Sequence, residues 1–306
     1  MRALPGTAAA AALCAVAAAG CGLGPGAKEG RVELTISRDY GSRVLSEDDV
    51  EISESDAVID ALDGEAEVET RFGGGFVQSI DGLAGSAGDS RRSDWFFYVN
   101  GVESSIGAAE YQLSGGDRVW WDHHDWSTAM RVPAVVGSWP EPFQHDHGGE
   151  RWSVGVYCGG DRAVCAQVDQ ALAEEGVDTA KAAEGEGRDG EIRVLVGPWD
   201  ALRSDPAAGL LRFGPDRSGV FATFAGSGDD TGLTLLSSRG RAVQAYGEGT
   251  GLVAALRPDE GAPTWMVTGT DAIGVAAAAR QLGAPLDDHF AVAIPHGGGA
   301  IGVPVP

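Results

Sequence analysis

The chain has 306 residues, with 45 Asp and Glu against 22 Lys and Arg, which gives a formal net charge of −23 at pH 7. Such an acidic surface repels nucleic acid and anionic headgroups, so the composition excludes nucleic acid as a partner. Once an N-terminal leader is removed, roughly 285 residues remain, which is long enough for two domains.

Residues 1–20 predict a lipoprotein signal peptide. After a short positive start, Thr7–Ala19 is an apolar, Ala-rich stretch that is too short to span a bilayer permanently. It ends in Ala18-Ala19-Gly20-Cys21, which resembles the bacterial lipobox, in which the cysteine is acylated and becomes the mature N-terminus. We expect a lipid on Cys21, a flexible tether over 21–30, and anchoring to membrane lipid on the extracytoplasmic side of the cell membrane. Ordinary secretory cleavage, with Cys21 incidental, is the alternative.

Residues 31–128 have the pattern of a small α+β domain. Val32–Ser37 alternates apolar and polar residues as a half-buried strand does, and Asn100-Gly101 after Asp94–Val99 is a strong hairpin signal. Ser55–Leu62 has a capping residue and helical spacing. Turns followed by strands are expected at 73–80 and 115–121. We therefore predict a β-rich domain with one short helix.

Residues 129–150 predict a linker between two domains. The segment is rich in Pro and Gly and shows little periodicity. Its apolar residues, Val135, Val136, Trp139 and Phe143, indicate that it packs against the protein.

Residues 151–306 alternate strand and helix patterns. Strands are expected at 152–157, 191–196, 219–224, 233–236, 264–268 and 290–294, and helices at 163–175, 199–207 and 271–282. This alternation predicts an α/β domain with a mostly parallel sheet. Its role is not indicated by any motif.

Cys158 and Cys165 predict a disulfide. They are an even pair in a chain with an export signal, and a strand ending at Cys158 followed by a helix would place them across a short turn. A pair of buried thiols is the alternative.

An ordered set of motifs in the first domain resembles a known family. The motifs are Gly74-Gly75-Phe76-Val77, Ser79-Ile80-Asp81-Gly82, Trp95–Gly101, Tyr111-Gln112-Leu113, Gly116-Asp117 and Trp120-Trp121. Residues 32–126 look like the C-terminal domain of the transcobalamin and intrinsic-factor proteins, which also occurs as a module of unknown function in bacterial surface lipoproteins. In the cobalamin carriers this domain closes over one side of a corrinoid, so the resemblance implies a corrinoid such as cobalamin, or another large ring, as candidate ligand.

The same resemblance gives the candidate ligand residues Phe76, Gln78, Tyr98, Asn100 and Trp121. Tyr98 is preferred to Trp95 because it lies on the opposite strand face from Trp95 and Phe97, which we expect in the core. The alternative is that the aromatic residues simply form the core of a small domain.

Four histidines give a further alternative, a zinc or copper site. His123 and His124 end the first domain, and His145 and His147 lie two apart in the linker, where an extended segment would place them on one face. Histidine is also an ordinary residue of solvated loops.

These observations favour a membrane-anchored lipoprotein that captures a small-molecule ligand for a membrane transporter and is not an enzyme. An envelope module for structure or protein interaction is the main alternative. An exported metal-dependent hydrolase that uses the histidines is the third.

Overall fold

The computed structural model describes residues 28–88, 91–181 and 189–306. The predicted signal peptide and Cys21 lie outside these ranges. Residues 28–30, expected in the tether, already belong to the first strand, β1 (Lys28–Arg38). Within the described ranges, no helix is both long enough and apolar enough to cross a membrane.

The N-terminal half is built around one six-stranded sheet. Its elements are β1, β2 (Arg43–Ser53), α1 (Val58–Glu65), β3 (Val68–Arg71), β4 (Phe76–Ile80), β5 (Leu83–Ala84), β6 (Ser86–Gly88), β7 (Arg91–Val99), β8 (Val102–Glu103) and β9 (Arg118–Asp125). The first sheet has the order β2-β1-β9-β7-β6, with β8 paired to β7. β1 and β9 are parallel, and the other pairs are antiparallel. β3, β4 and β5 form a separate small sheet.

The local sequence explains the hairpin and the helix of this half. Asn100 and Gly101 both have positive φ, at 54° and 72°, as the two central residues of a tight hairpin turn require. α1 begins at Val58 rather than at Ser55, because the Asp56 carboxylate accepts the Ser53 N–H in a preceding turn. Asp60 then accepts the Ala57 N–H, which satisfies a donor at the helix start.

The C-terminal half contains a larger sheet and a second small one. Its elements are β10 (Ser153–Cys158), α2 (Arg162–Glu174), β11 (Thr179–Lys181), β12 (Glu191–Pro198), α3 (Trp199–Leu202), α4 (Pro215–Ser218), β13 (Ala222–Ala225), β14 (Gly232–Leu236), β15 (Ala242–Tyr246), β16 (Gly251–Leu256), β17 (Thr264–Gly269), α5 (Ala272–Ala279), β18 (Ala291–Ile294) and β19 (Ile301–Val303). Short 3-10 helices cover Ala208–Arg212, Gly228–Asp230 and Ala284–Leu286. β13, β14 and β15 form an antiparallel sheet.

The larger sheet is mixed, so the prediction of a mostly parallel sheet is only partly confirmed. Its order is β11-β10-β12-β17-β16-β18-β19. The pairs among β11, β10, β12 and β17 are parallel, as the strand–helix alternation predicted. The three pairs that add β16, β18 and β19 are antiparallel. β16 and β17 are antiparallel because the short segment 257–263 joins them without a crossover helix.

The larger sheet is covered on both faces. On one face, Val194 and Trp265 pack in a core with the helices α2 and α5. On the other, Leu195 and Met266 pack in a core that also contains Tyr98 and other residues of the first sheet. The two halves are therefore joined by a continuous apolar core.

The segment 129–150 belongs to this core. Val135 and Val136 are fully buried, and they pack on opposite sides of the larger sheet. Trp139 and Phe143 are also buried, with ring centroids 5.6 Å apart. The expectation that this segment packs against the protein is confirmed.

Candidate ligand-binding surface

Strand β7 places its aromatic side chains alternately on two faces of the first sheet. Trp95 and Phe97 face a core that includes α1, as expected. Phe96 and Tyr98 face the C-terminal half. The alternation of side chains along β7 therefore places Tyr98 on the opposite face from Trp95 and Phe97, as the sequence predicted.

Tyr98 does not lie at the surface, and the expectation that it is exposed for a ligand is wrong. Its side chain is 0% exposed, and its ring lies 5.5 Å from that of Phe290 and 6.0 Å from that of Trp120. The C-terminal half covers this face of the sheet. Burial also raises the pKa of the Tyr98 hydroxyl well above its usual value.

Two other candidate ligand residues have structural contacts instead. The Asn100 amide donates to Asp117 Oδ1 and to the Asp146 carbonyl, both at 2.8 Å, and its oxygen accepts the Arg118 N–H at 2.9 Å. Trp121 is 2% exposed and packs 4.9 Å from Phe97. Neither side chain is accessible to a ligand, because Asn100 is hydrogen-bonded at the hairpin turn and Trp121 is buried in the core.

The remaining candidates, Phe76 and Gln78, lie on β4 with part of their surface exposed. Phe72 at the preceding turn is 88% exposed, and Phe76 is 38% exposed. Sequence reasoning missed Phe72; its signal is a bulky aromatic residue directly before three glycines.

Ile106 extends this surface. A Cβ placed on Gly107 would lie 2.9 Å from Gly75 Cα, so the segments that carry Ile106 and Phe76 touch. Ile106 is 46% exposed. We call Phe72, Phe76, Gln78 and Ile106 the hairpin patch.

The linker histidines lie apart from the pair on β9. His145 Nδ1 lies 2.5 Å from Glu141 Oε1. His147 Nδ1 is within reach of the Val99 carbonyl at 3.2 Å and the Tyr111 hydroxyl at 3.3 Å. Burial lowers the pKa of His147 to about 4, so its ring is neutral at pH 7.

His124 is buried on β9 and is stacked between Tyr40 and Phe96 at 4.3 and 4.4 Å. His123 faces Trp95 on the other side of the sheet, at 5.2 Å. Across residues 28–88, 91–181 and 189–306, no three His, Cys, Asp or Glu side chains gather in a metal-binding arrangement.

A buried carboxylate beside His124 organises the end of the first sheet. Asp122 Oδ1 accepts from the Tyr40 N–H at 3.0 Å and from His124 Nδ1 at 2.7 Å. Its Oδ2 accepts from the Gly41 N–H at 2.9 Å and from the Ser37 hydroxyl at 2.5 Å. These hydrogen bonds outweigh burial and lower the Asp122 pKa.

The predicted disulfide is confirmed. Cys158 ends β10, Cys165 lies in α2, and the bonded pair has a Cα–Cα distance of 5.8 Å. The bond fastens the start of α2 to the parallel part of the larger sheet.

Comparisons with known proteins cover part of the chain. Residues 55–125 match the family described as Domain of unknown function (DUF4430). No curated protein matches the chain. Among solved structures, haptocorrin in complex with Cbi is 18% identical over 31% of this chain and 25% of that chain, with a TM-score of 0.25. A protein described as a candidate metal-binding protein from Ruminococcus gnavus ATCC 29149 is 17% identical over 32% of this chain and 98% of that chain, also with a TM-score of 0.25.

The family match lies inside the residues to which the resemblance was assigned. It supports that resemblance over 55–125 and leaves the rest of the chain outside it. The chain spans about a quarter of the length of the haptocorrin chain. At a TM-score of 0.25, the similarities to solved structures assign neither a ligand nor a role to this chain.

Proposed function

We propose that the protein is a lipoprotein, anchored through Cys21 outside the cell membrane, that captures a flat small molecule on the hairpin patch. It releases the ligand unchanged to a membrane transporter. The observation that carries the proposal is the exposure of Phe72, which is 88% accessible at the tip of a β-hairpin.

The backbone at Phe72 is also unusual for an aromatic residue. Its φ is +54°, a region that bulky residues rarely occupy because the Cβ crowds the backbone. Such conformations cost on the order of 1–3 kcal/mol and tend to occur at functional sites. An aromatic ring held there and left in water supports a role in contacting another molecule.

The neighbouring side chains favour a ring-shaped ligand. Phe76 and Ile106 add apolar surface, and the Gln78 amide can hydrogen-bond the edge of a bound molecule. The three glycines after Phe72 leave space beside its ring. A corrinoid, the ligand implied by the sequence resemblance, or another large ring has the flat face and polar rim that such a surface would bind.

Titration of the detergent-solubilised protein with cobalamin and with cobinamide, followed by the corrin absorbance, tests this proposal. Phe72→Ala should weaken binding about 3- to 10-fold, because an aromatic contact contributes on the order of 1 kcal/mol beyond area burial. Phe213→Ala, which changes another exposed Phe, is the matched control and should bind as wild type. Absence of binding to both corrinoids would remove them as ligands. Equal binding by the wild type and Phe72→Ala would remove the hairpin patch as the site.

The same exposed apolar surface also suits a protein partner, as in the alternative of an envelope interaction module. Co-purification of one membrane protein in the absence of ligand, lost in Phe72→Ala, would favour that alternative. The histidines give the hydrolase alternative no support, because His145 bonds to Glu141 and His147 to Val99 and Tyr111, whereas His124 bonds to Asp122.

A further inference from the structure

A polar recess lies between the first sheet and the C-terminal half, on the side of the sheet that carries Trp120. It has a volume of about 170 Å³. Its walls come from neighbouring strands of the first sheet, from the segment 129–150 and from the turn after the 3-10 helix Ala284–Leu286. We call it the acidic recess. Its charged side chains are Glu33, Glu47, Arg118, Asp287 and Asp288.

The strand register places the first-sheet members of this recess side by side. Thr35 of β1 is paired with Glu47 of β2 on one side and with Trp120 of β9 on the other. Glu33, two residues before Thr35, is paired with Arg118. Side chains two apart on a strand point to the same face of a sheet, and so do those of directly paired residues. These side chains therefore share the face that the C-terminal half covers.

The recess carries negative charge that the protein leaves unpaired. Arg118 Nη2 lies 3.1 Å from Glu33 Oε2, so these two charges form an ion pair. Within the part of the chain that the structure describes, the carboxylates of Glu47, Asp287 and Asp288 have neither an ion pair nor a hydrogen bond. Burial, followed by repulsion from Glu47 and Asp287, raises the pKa of Asp288 to about 6, so the three carboxylates act on one another.

Two buried hydroxyl groups without partners also line the recess. Thr35 is 9% exposed, and Ser138 is 4% exposed. Neither hydroxyl takes part in a hydrogen bond within residues 28–88, 91–181 and 189–306. Neither oxygen is one of the fully enclosed side-chain atoms that lack a partner, so each keeps some accessible surface. Both oxygens can therefore accept a hydrogen bond from a molecule in the recess.

This set of acceptors suits an organic ammonium ion better than a bare metal ion. Over the described residues, no three Asp, Glu, His or Cys side chains lie close enough together to hold one metal ion. An alkylammonium group donates three hydrogen bonds, and carboxylates and hydroxyls both accept them. An alkyl chain with an ammonium group at each end can reach carboxylates that are too far apart to share one metal ion.

We propose that the acidic recess binds a short aliphatic diamine in its doubly protonated form. One ammonium group binds the half-buried carboxylate of Asp288 and the hydroxyls of Thr35 and Ser138. The other binds Glu47 and Asp287, which are more exposed at the rim. The recess is smaller than the pockets that hold drug-sized ligands or a large ring, so this site is distinct from the hairpin patch.

Calorimetric titration of the detergent-solubilised full-length protein with putrescine, a linear diamine, tests the proposal at pH 7.5, where Asp288 is ionised. We expect one molecule to bind per chain. Butylamine has the same alkyl chain but a single charge, and it should bind at least about 10-fold more weakly. Magnesium ion shows how strongly the acidic chain attracts any divalent cation, and at the same concentration it should not displace putrescine.

Three variants separate the recess from the overall charge of the chain. Asp288→Asn should weaken putrescine binding at least about 10-fold, because a charged acceptor is lost. Asp229→Asn removes an exposed carboxylate outside the recess and should bind as wild type. Ser138→Ala leaves the charge unchanged and should still weaken binding at least about 3-fold, because a hydrogen bond to the ammonium group is lost.

Thermal unfolding shows whether each variant is folded, and Thr35→Val provides a second test of the hydroxyls. Absence of putrescine binding would overturn the proposal, as would equal binding of butylamine or displacement by magnesium. Equal affinities of Asp288→Asn and Asp229→Asn would overturn it as well, and so would wild-type affinity in both Ser138→Ala and Thr35→Val. Phe72→Ala should leave putrescine binding unchanged, so this result is independent of the corrinoid titration.

Discussion

The ring of Tyr98 lies edge-on to that of Phe290, with centroids 5.5 Å apart and an interplanar angle of 79°. Tyr98 comes from the first sheet, and Phe290 directly precedes β18 of the larger sheet. The Phe290 ring also contacts Tyr40 and Trp120, at 5.3 and 5.1 Å. One phenyl ring therefore joins several aromatic residues of the first domain to the C-terminal half.

Two substitutions at Tyr98 separate its ring from its hydroxyl. We expect Tyr98→Ala to lower the free energy of unfolding by about 3–5 kcal/mol, as for large aromatic residues in a core. Tyr98→Phe should be neutral or stabilising, because the buried hydroxyl has no partner among the described residues. Urea unfolding measures both. A Tyr98→Ala variant as stable as wild type would contradict the burial of this residue between the halves.

Local patterns in the sequence predicted many elements but not what covers them. The hairpin at Asn100-Gly101, α1 and the Cys158–Cys165 bond follow from residues that are close in the chain. The alternation of side chains in β7 correctly predicted which aromatic residues share a face of the sheet. It could not show that one face is covered by Phe290, since that contact depends on the tertiary arrangement of distant segments.

Among the strands that the sequence did not predict, β2 and β16 were missed for opposite reasons. β2 is acidic and lies at the edge of the first sheet, so much of it faces water and its sequence lacks a clear apolar alternation. β16 is buried along its whole length, so its short apolar run shows no alternation that would distinguish a strand from a buried helix. For the candidate site, Phe72 was missed because exposure at a turn leaves no periodic signal.

Anchoring should depend on the sulfur of Cys21. We expect Cys21→Ala to move the protein from the membrane fraction to the soluble extracytoplasmic fraction, because no acyl chain can then be attached. Cys14→Ala, within the same leader, is the control and should leave the protein in the membrane fraction. Immunoblots of the two fractions measure the effect. Retention of Cys21→Ala in the membrane would rule out lipid anchoring at this residue.

Asp122 should be required for stability at neutral pH. In Asp122→Asn, the amide group replaces one acceptor oxygen by a donor that faces other donors, so we expect a loss of about 2–4 kcal/mol. The folded-state pKa of Asp122 is lowered, so its contribution is complete above the unfolded pKa of about 3.9 and is lost as pH falls through the folded pKa.

Urea unfolding between pH 3 and 7 checks both the size and the pH dependence of this difference. Asp125→Asn, on the same strand, is the control and should cost much less, because that carboxylate is only partly buried and, among the described residues, bonds only to Ser127. A difference between wild type and Asp122→Asn that stays constant down to pH 3 would contradict the role given to the charge.

Asp288 should have the opposite pH dependence. Burial and the nearby carboxylates of Glu47 and Asp287 raise its pKa to about 6, from an ordinary value of 3.8. The folded state therefore binds this proton more tightly than the unfolded state, and the resulting stability is present below pH 4 and is lost as pH rises through 6.

Asp288→Asn should keep that stability, because Asn tolerates the local φ of +61° and carries no charge. We expect this variant to be more stable than wild type at pH 7.5, by roughly 1 kcal/mol once solvent screening is allowed for. Thermal unfolding at pH 4 and pH 7.5 measures the difference, with Asp229→Asn at another turn as the control. If the stability of Asp288→Asn relative to wild type does not increase between pH 4 and pH 7.5, the carboxylates of Glu47 and Asp287 do not destabilise the ionised Asp288.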